Sequence, residues 1–166
     1  MGEDTLIDAD SASRVGTVAA RATGEVNQRD WQRWASAVGD HNPLYFDPDY
    51  ARANGFHDII CPPLFLQYAV LGVARLDALR PDGSSGAASG SLAFPRAPKR
   101  MAGGESFTFH LPAYHRDEIE MVRTIESIVE KQGRSGSFVL VTWQTVYRNQ
   151  HRDLVAEAST SMIARP

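Results

Sequence analysis

The chain has 166 residues, with 17 Lys plus Arg against 20 Asp plus Glu and 43% hydrophobic residues, an ordinary composition for one globular domain. A net charge of −3 argues against a nucleic-acid binder, which would carry a basic stripe. The single cysteine, Cys61, excludes an internal disulfide framework and any Cys-based zinc site, so a reducing, cytoplasmic setting is expected. The longest apolar stretch, residues 62–74, is too short for a membrane span, and the acidic start at Glu3 and Asp4 reads as no signal peptide.

Residues 1–13 are small and polar and read as a flexible lead-in to one domain over 14–166. Thr17 to Val26 is β-compatible. Asn27 is a suitable N-cap for a helix through Val38, with Trp31, Trp34, Ala35 and Val38 on one face and Gly39 as its stop. Asp47-Pro48-Asp49 opens a second short helix that ends at Asn54-Gly55. Residues 63–79 are apolar almost all round, the pattern of a helix buried on nearly every side. Residues 80–90 (RPDGSSGAASG) have no periodic apolar signal and read as a loop.

The second half alternates. Phe107, Phe109 and Leu111 define one half-buried strand, Ile119, Met121 and Ile125 a second, and Val139, Val141 and Trp143 a third. A fourth covers residues 154–163, with turns at Gly133–Gly136 and Asn149–Arg152. Helices followed by a four-strand antiparallel meander predict an α+β fold, one long buried helix wrapped by a curved antiparallel sheet.

No phosphate-cradling loop, GxSxG elbow or HExxH pair is present. His110 and His115 lie five apart across a Pro-containing strand end, a poor spacing for metal ligands, and His41, His57 and His151 are scattered. No metal and no cofactor are expected.

The informative blocks are Gly39-Asp40-His41-Asn42-Pro43-Leu44-Tyr45, Ile59-Ile60-Cys61-Pro62-Pro63-Leu64-Phe65, and Pro95 to Glu105 with Phe109-His110-Leu111-Pro112 and Asp117. They resemble, in that order, the GDxNPLH signature, the IAPPTF stretch, and the RRMWAGG and FHxPxxxGD elements of the MaoC-like hydratases and dehydratases. The match is to the FAS1-like dehydratase N-terminal branch, including methylfumaryl-CoA and mesaconyl-CoA hydratases. The resemblance implies a hot-dog fold acting on 2-enoyl or 3-hydroxyacyl thioesters of CoA or acyl carrier protein. It also implies a homodimer, or a heterodimer with a related hot-dog chain, and no nucleic-acid or membrane partner.

Such chemistry needs an acid and a base, and donors at the thioester oxygen where enolate charge develops. Asp40 aligns with the family carboxylate, but Tyr45 occupies the histidine position, and a phenol titrating near 10 is a donor rather than a base. His41 follows Asp40 directly, so the two side chains rarely converge on one atom; a loop-bracing role is the simpler reading. Asn42 and Pro43 shape the turn. Pro62-Pro63 lack the N–H that active relatives aim at the thioester, so Leu64 and Phe65 are the first donors. Pro63, Leu64, Phe65, Asn42, Gly103 and Gly104 complete the expected substrate-binding set beside Asp40 and Tyr45. Cys61 reads as a buried apolar residue. Two alternatives stand beside the hydratase: a catalytically silent subunit that forms the acyl tunnel for an active partner, and a hot-dog thioesterase or tailoring enzyme of specialised metabolism.

Overall fold

The computed structural model describes residues 5–71, 77 and 92–166. Elements run α1 (Ala9–Ser13), β1 (Val18–Glu25), α2 (Gln28–Val38), a 3₁₀ turn (Pro43–Tyr45), α3 (Pro48–Ala53), a second 3₁₀ turn (Pro63–Phe65), α4 (Leu66–Leu71), β2 (Lys99–Phe109), β3 (Glu118–Gly133), β4 (Gly136–Arg148) and β5 (Leu154–Arg165). The second half of the expected long helix and the expected loop at 80–90 lie outside the described residues.

All strands join one antiparallel sheet in the order β1-β3-β4-β5-β2. The meander therefore comprises three strands, not four. β2 pairs with β5 rather than with β3, and β1, ahead of the first long helix, forms the opposite edge. Side-chain alternation locates strands but carries no information on which neighbour each one takes. β2 also starts at Lys99, earlier than its aromatic alternation indicates, because Ala102, Gly103 and Gly104 contribute backbone pairing without an apolar signal.

Within the expected lead-in, Ala9–Ser13 form a helix whose N-cap is Asp8, accepting from the Ser11 N–H at 2.7 Å. The Leu6 N–H and Thr5 hydroxyl both donate to Glu130 Oε2 on β3, and Ser11 is buried.

α4 lies across the inner face of the sheet where β1 and β3 meet. A Cβ on Gly24 of β1 would fall 1.7 Å from the Ala69 carbonyl oxygen, so the helix backbone rests directly on this glycine. Trp31, Ala35, Phe65, Ile119 and Val155 surround the contact as one buried cluster. Burial of such apolar surface at roughly 25 cal/mol per Å² is the main force holding α2 and α4 against the sheet.

Candidate active site

α2 ends where the sequence predicts. Gly39 takes φ 75°, and the Asp40 N–H reaches back to the Ala35 carbonyl at 2.9 Å, a six-to-one closure that requires a left-handed residue between. Asp40 is thereby delivered half-buried at a fixed helix end. Its Oδ1 accepts the Asn42 N–H at 3.3 Å, and Asn42 Oδ1 in turn accepts the Leu44 N–H at 3.1 Å. Asn42 thus starts the 3₁₀ turn that carries Tyr45, and its place in the substrate-binding set is taken up by this bracing.

Tyr45 is 7% exposed. Its carbonyl accepts from Trp31 Nε1 at 3.3 Å and from Gln32 Nε2 at 3.1 Å, which locks the turn to α2. Burial, and then the charge of Asp40, push the Tyr45 phenol above its ordinary value of 10.0, with the Asn42 side chain acting in the opposite sense. The fold therefore brings Asp40 and Tyr45 within electrostatic reach and keeps the phenol protonated. His41 is exposed between them.

The Ile60 N–H donates to the Leu44 carbonyl at 3.0 Å, and the Cys61 N–H to the Ala113 carbonyl at 2.8 Å. These bonds bring the start of the central helix beside the Asp40 turn. Burial, followed by the charge of Asp117, pushes the Cys61 thiol well up, so it is a buried apolar residue and no nucleophile. At the helix entry, Pro62 is buried and Pro63 exposed. The Phe65 N–H donates to the Pro62 carbonyl at 2.9 Å and is taken, contrary to the expectation that it could serve substrate. The Leu64 N–H has no hydrogen-bond partner among the described residues, and Leu64 is 47% exposed. One backbone donor remains, on a helix entry that two prolines hold rigid.

Beside this entry lies an apolar cavity of about 210 Å³, lined by Cys61, Pro63, Leu66, Phe109, His110 and Leu111 among others. Gly103 and Gly104 are not at this place. They form a bulge in β2, where the Gly104 N–H donates to Ser161 Oγ at 2.7 Å and a Cβ on Gly103 would meet that oxygen at 2.3 Å. No hydrogen bond or shared cavity among the described residues joins them to Asp40 or Tyr45.

The remaining histidines separate. His110 Nε2 lies 3.1 Å from Glu157 Oε2, His115 Nδ1 accepts the Gln28 N–H at 3.3 Å, and the exposed His57 ring packs on Tyr114. The His110–Glu157 pair and the inward-facing Arg123 of β3 were invisible to local patterns, because each depends on cross-strand register.

An antiparallel sheet packed on a helix, in the order β1-β3-β4-β5-β2, defines a hot-dog protein. The chain belongs to the family described as FAS1-like, dehydratase domain region, whose model matches residues 13–158. A UPF0336 protein of Parafrankia sp. (strain EAN1pec) is 32% identical over 141 residues, covering 85% of this chain and 84% of that protein. A probable enoyl-CoA hydratase alpha subunit of Thermomonospora curvata is 30% identical over 139 residues, covering 82% of this chain but 44% of its relative. Among solved structures, the ChsH1-ChsH2 complex of Mycobacterium tuberculosis matches with TM-score 0.69 at 21% identity, covering 89% of this chain and 83% of that one. At that identity the likeness concerns the fold. No helix among the described residues is long and apolar enough to cross a membrane.

Proposed function

We propose that this chain works in the cytoplasm on 2-enoyl or 3-hydroxyacyl thioesters of CoA or acyl carrier protein, as a hydratase or dehydratase. The observation that carries this reading is the Asp40 carboxylate within electrostatic reach of the protonated Tyr45 phenol, on a turn that the Ile60 N–H to Leu44 carbonyl bond ties to the segment leading into Pro62-Pro63. In the hydration direction, Asp40 removes a proton from water as it adds to the β-carbon, and returns a proton to the α-carbon as the enolate collapses. The Leu64 N–H, at the positive end of the central helix, donates to the thioester oxygen while that oxygen carries the enolate charge. Tyr45 donates a hydrogen bond beside Asp40 and takes no proton. Pro63 and Leu66 border the cavity that would receive apolar acyl atoms.

A second reading is favoured by one feature: no group titrating near neutrality stands where the family places its histidine, since the Tyr45 phenol is raised rather than lowered. In that reading the chain is a silent subunit that shapes the acyl tunnel for a related hot-dog partner. The relative from Thermomonospora curvata is named an alpha subunit, and the ChsH1-ChsH2 and HadBC structures are complexes of two chains. Pairing is supported by the exposed apolar side chains Tyr68 (56%) and Leu71 (65%) on α4.

The test is hydration of crotonyl-CoA by the purified chain, alone and coexpressed with a related hot-dog chain. Turnover by the chain alone that Asp40→Asn removes supports the enzyme. Turnover only in the complex, insensitive to Asp40→Asn, transfers the chemistry to the partner.

A further inference from the structure

The outer face of the sheet carries a row of cations near the closed end of the β3–β4 hairpin. Val139 and Ala164 are buried on the inner face, so their neighbours Phe138 and Arg165 point to the outer one. Register places Lys131 opposite Phe138 and Lys99 opposite Arg165, and residues directly opposite share a face. The Arg165 guanidinium lies 5.8 Å from the centre of the Phe138 ring, and its Nη1 donates to Ser135 Oγ at 3.4 Å. Across β3, β4, β5 and β2 the row is therefore Lys131, Phe138, Arg165 and Lys99, with all three cations exposed. Among the described residues none of the three forms an ion pair with a carboxylate side chain. Glu130, beside Lys131 in sequence, is taken by the Thr5 hydroxyl and the Leu6 N–H, and the Ser137 side chain reaches it as well. A groove of about 540 Å³ lies at this end of the sheet, lined by Lys99, Arg165, Ser135 and Ser137 and by no carboxylate side chain.

Like charges directly opposite on neighbouring strands are destabilising, so Lys99 and Arg165 weaken the β2–β5 pairing that they end. The chain has 20 Asp plus Glu, more than its basic residues, yet none lines this groove. A bound anion would supply the missing charge. Lys99 Nζ gives one donor to the Pro166 main-chain oxygen at 3.0 Å and keeps its others. Arg165 presents a planar fork of N–H groups, and the serine hydroxyls can also donate, a set that phosphate oxygens accept well. Strands lie about 4.8 Å apart, so the row from Lys131 to Lys99 spans about 14 Å, room for more than one phosphate group. The volume is that of a small-molecule site, not of a flat protein-docking face.

We propose that this groove binds the phosphate groups of a small phosphorylated ligand, with Lys99 and Arg165 as its principal donors and Lys131 at its rim. The site is separate from the candidate active site. Lys99 and Phe109 are the two ends of β2, about 33 Å apart along an extended strand, and Phe109 borders the cavity at the helix entry. The proposal therefore stands or falls independently of the acyl-thioester reading.

The experiment is calorimetric titration of the full chain with sodium pyrophosphate and, separately, with ADP. The proposal expects pyrophosphate to bind with a Kd below about 1 mM at low ionic strength. Lys99→Gln and Arg165→Gln should each weaken binding at least about tenfold. Lys99→Gln should also leave the melting temperature of the ligand-free chain no lower, since it relieves a like-charge pair. Tighter binding of ADP than of pyrophosphate upholds the groove and makes a nucleotide the bearer of the phosphates; equal affinity upholds it for the phosphates alone. Failure of both to bind below about 1 mM, or binding that neither substitution weakens, overturns it. Should a variant fail to fold, NMR of the unmodified chain decides: pyrophosphate must shift the amides of Ser135 to Ser137 and Arg165, and shifts confined elsewhere overturn the site.

Discussion

The Phe65 amide donates to the Pro62 carbonyl at 2.9 Å, which leaves Leu64 with the first unused N–H of the central helix. Two prolines precede it, so no other main-chain donor can take over if this one is lost. Leu64→Pro should lower hydration by about 10²- to 10³-fold, the usual effect of deleting one donor at an oxyanion. Leu64→Ala keeps the N–H and should leave turnover nearly unchanged. Initial rates for the pair, with circular dichroism to confirm folding, separate the amide from the side chain.

Asp40 and Tyr45 differ in what their loss should do. Asp40→Asn preserves shape and removes the acid/base group, for an expected loss of about 10²- to 10⁴-fold. Tyr45→Phe removes one hydrogen bond, worth about 1 to 3 kcal/mol if a buried partner is stranded, or about 5- to 150-fold in rate. Tyr45→His restores a group titrating near neutrality next to Asp40 and should raise turnover, with a new inflection in the pH–rate profile near 6 to 7. A silent subunit would show none of these changes in the activity of its complex.

Gly24 carries a stability prediction. Because a Cβ there would overlap the Ala69 carbonyl oxygen, Gly24→Ala must push α4 away from β1. Overpacking of this kind costs about 1 to 3 kcal/mol or more. Thermal denaturation should show a lowered midpoint of at least a few degrees, whereas Gly104→Ala, whose Cβ would lie 3.9 Å from Ser161 Oγ, should be much milder.

Alkaline pH should unfold the protein by a defined route. Burial raises the phenols of Tyr45, Tyr114 and Tyr147 above 10.0, so each is harder to ionise in the folded chain than in the unfolded one. The folded state then holds its protons longer, and the associated stability is complete below about pH 10 and is lost as pH rises through the folded values. Denaturant midpoints should be flat from neutrality to about pH 9 and fall beyond it. Cys61, buried and raised from 9.0, should resist a disulfide reagent at pH 8 until denaturant is added.

Much of the Asp40 turn was legible because its signals are local. Asn27 caps α2, Gly39 ends it, and Asp47-Pro48 opens α3, each through a bond spanning a few residues. The pairing of β2 with β5 was not legible, since alternation in Phe107 and Phe109 fits any neighbour. Gly103 and Gly104 enter the expected binding set through the resemblance, and their contact with the Ser161 hydroxyl, far along the chain, likewise depends on strand register. Arg123 gave no sign at all, because a charged residue in a strand reads as solvent-facing until register places it between Met121 and Ile125 on the inner face.

The sheet order has a consequence for how the chain comes together during synthesis. β1 pairs Val18 with Thr124, and the strand that receives it is made only after the whole helical half has left the ribosome. Non-local pairings of this kind are slow, whereas the β3–β4 hairpin, closed between Gly133 and Gly136, needs only neighbouring residues. The hairpin should be the first lasting structure, β5 should extend it, and the two edges should close last. Until then the apolar faces of α2 and α4 have no sheet to cover them, and the turn that holds Asp40 has no floor. The nascent N-terminal half is therefore the segment most exposed to aggregation and most dependent on chaperone protection.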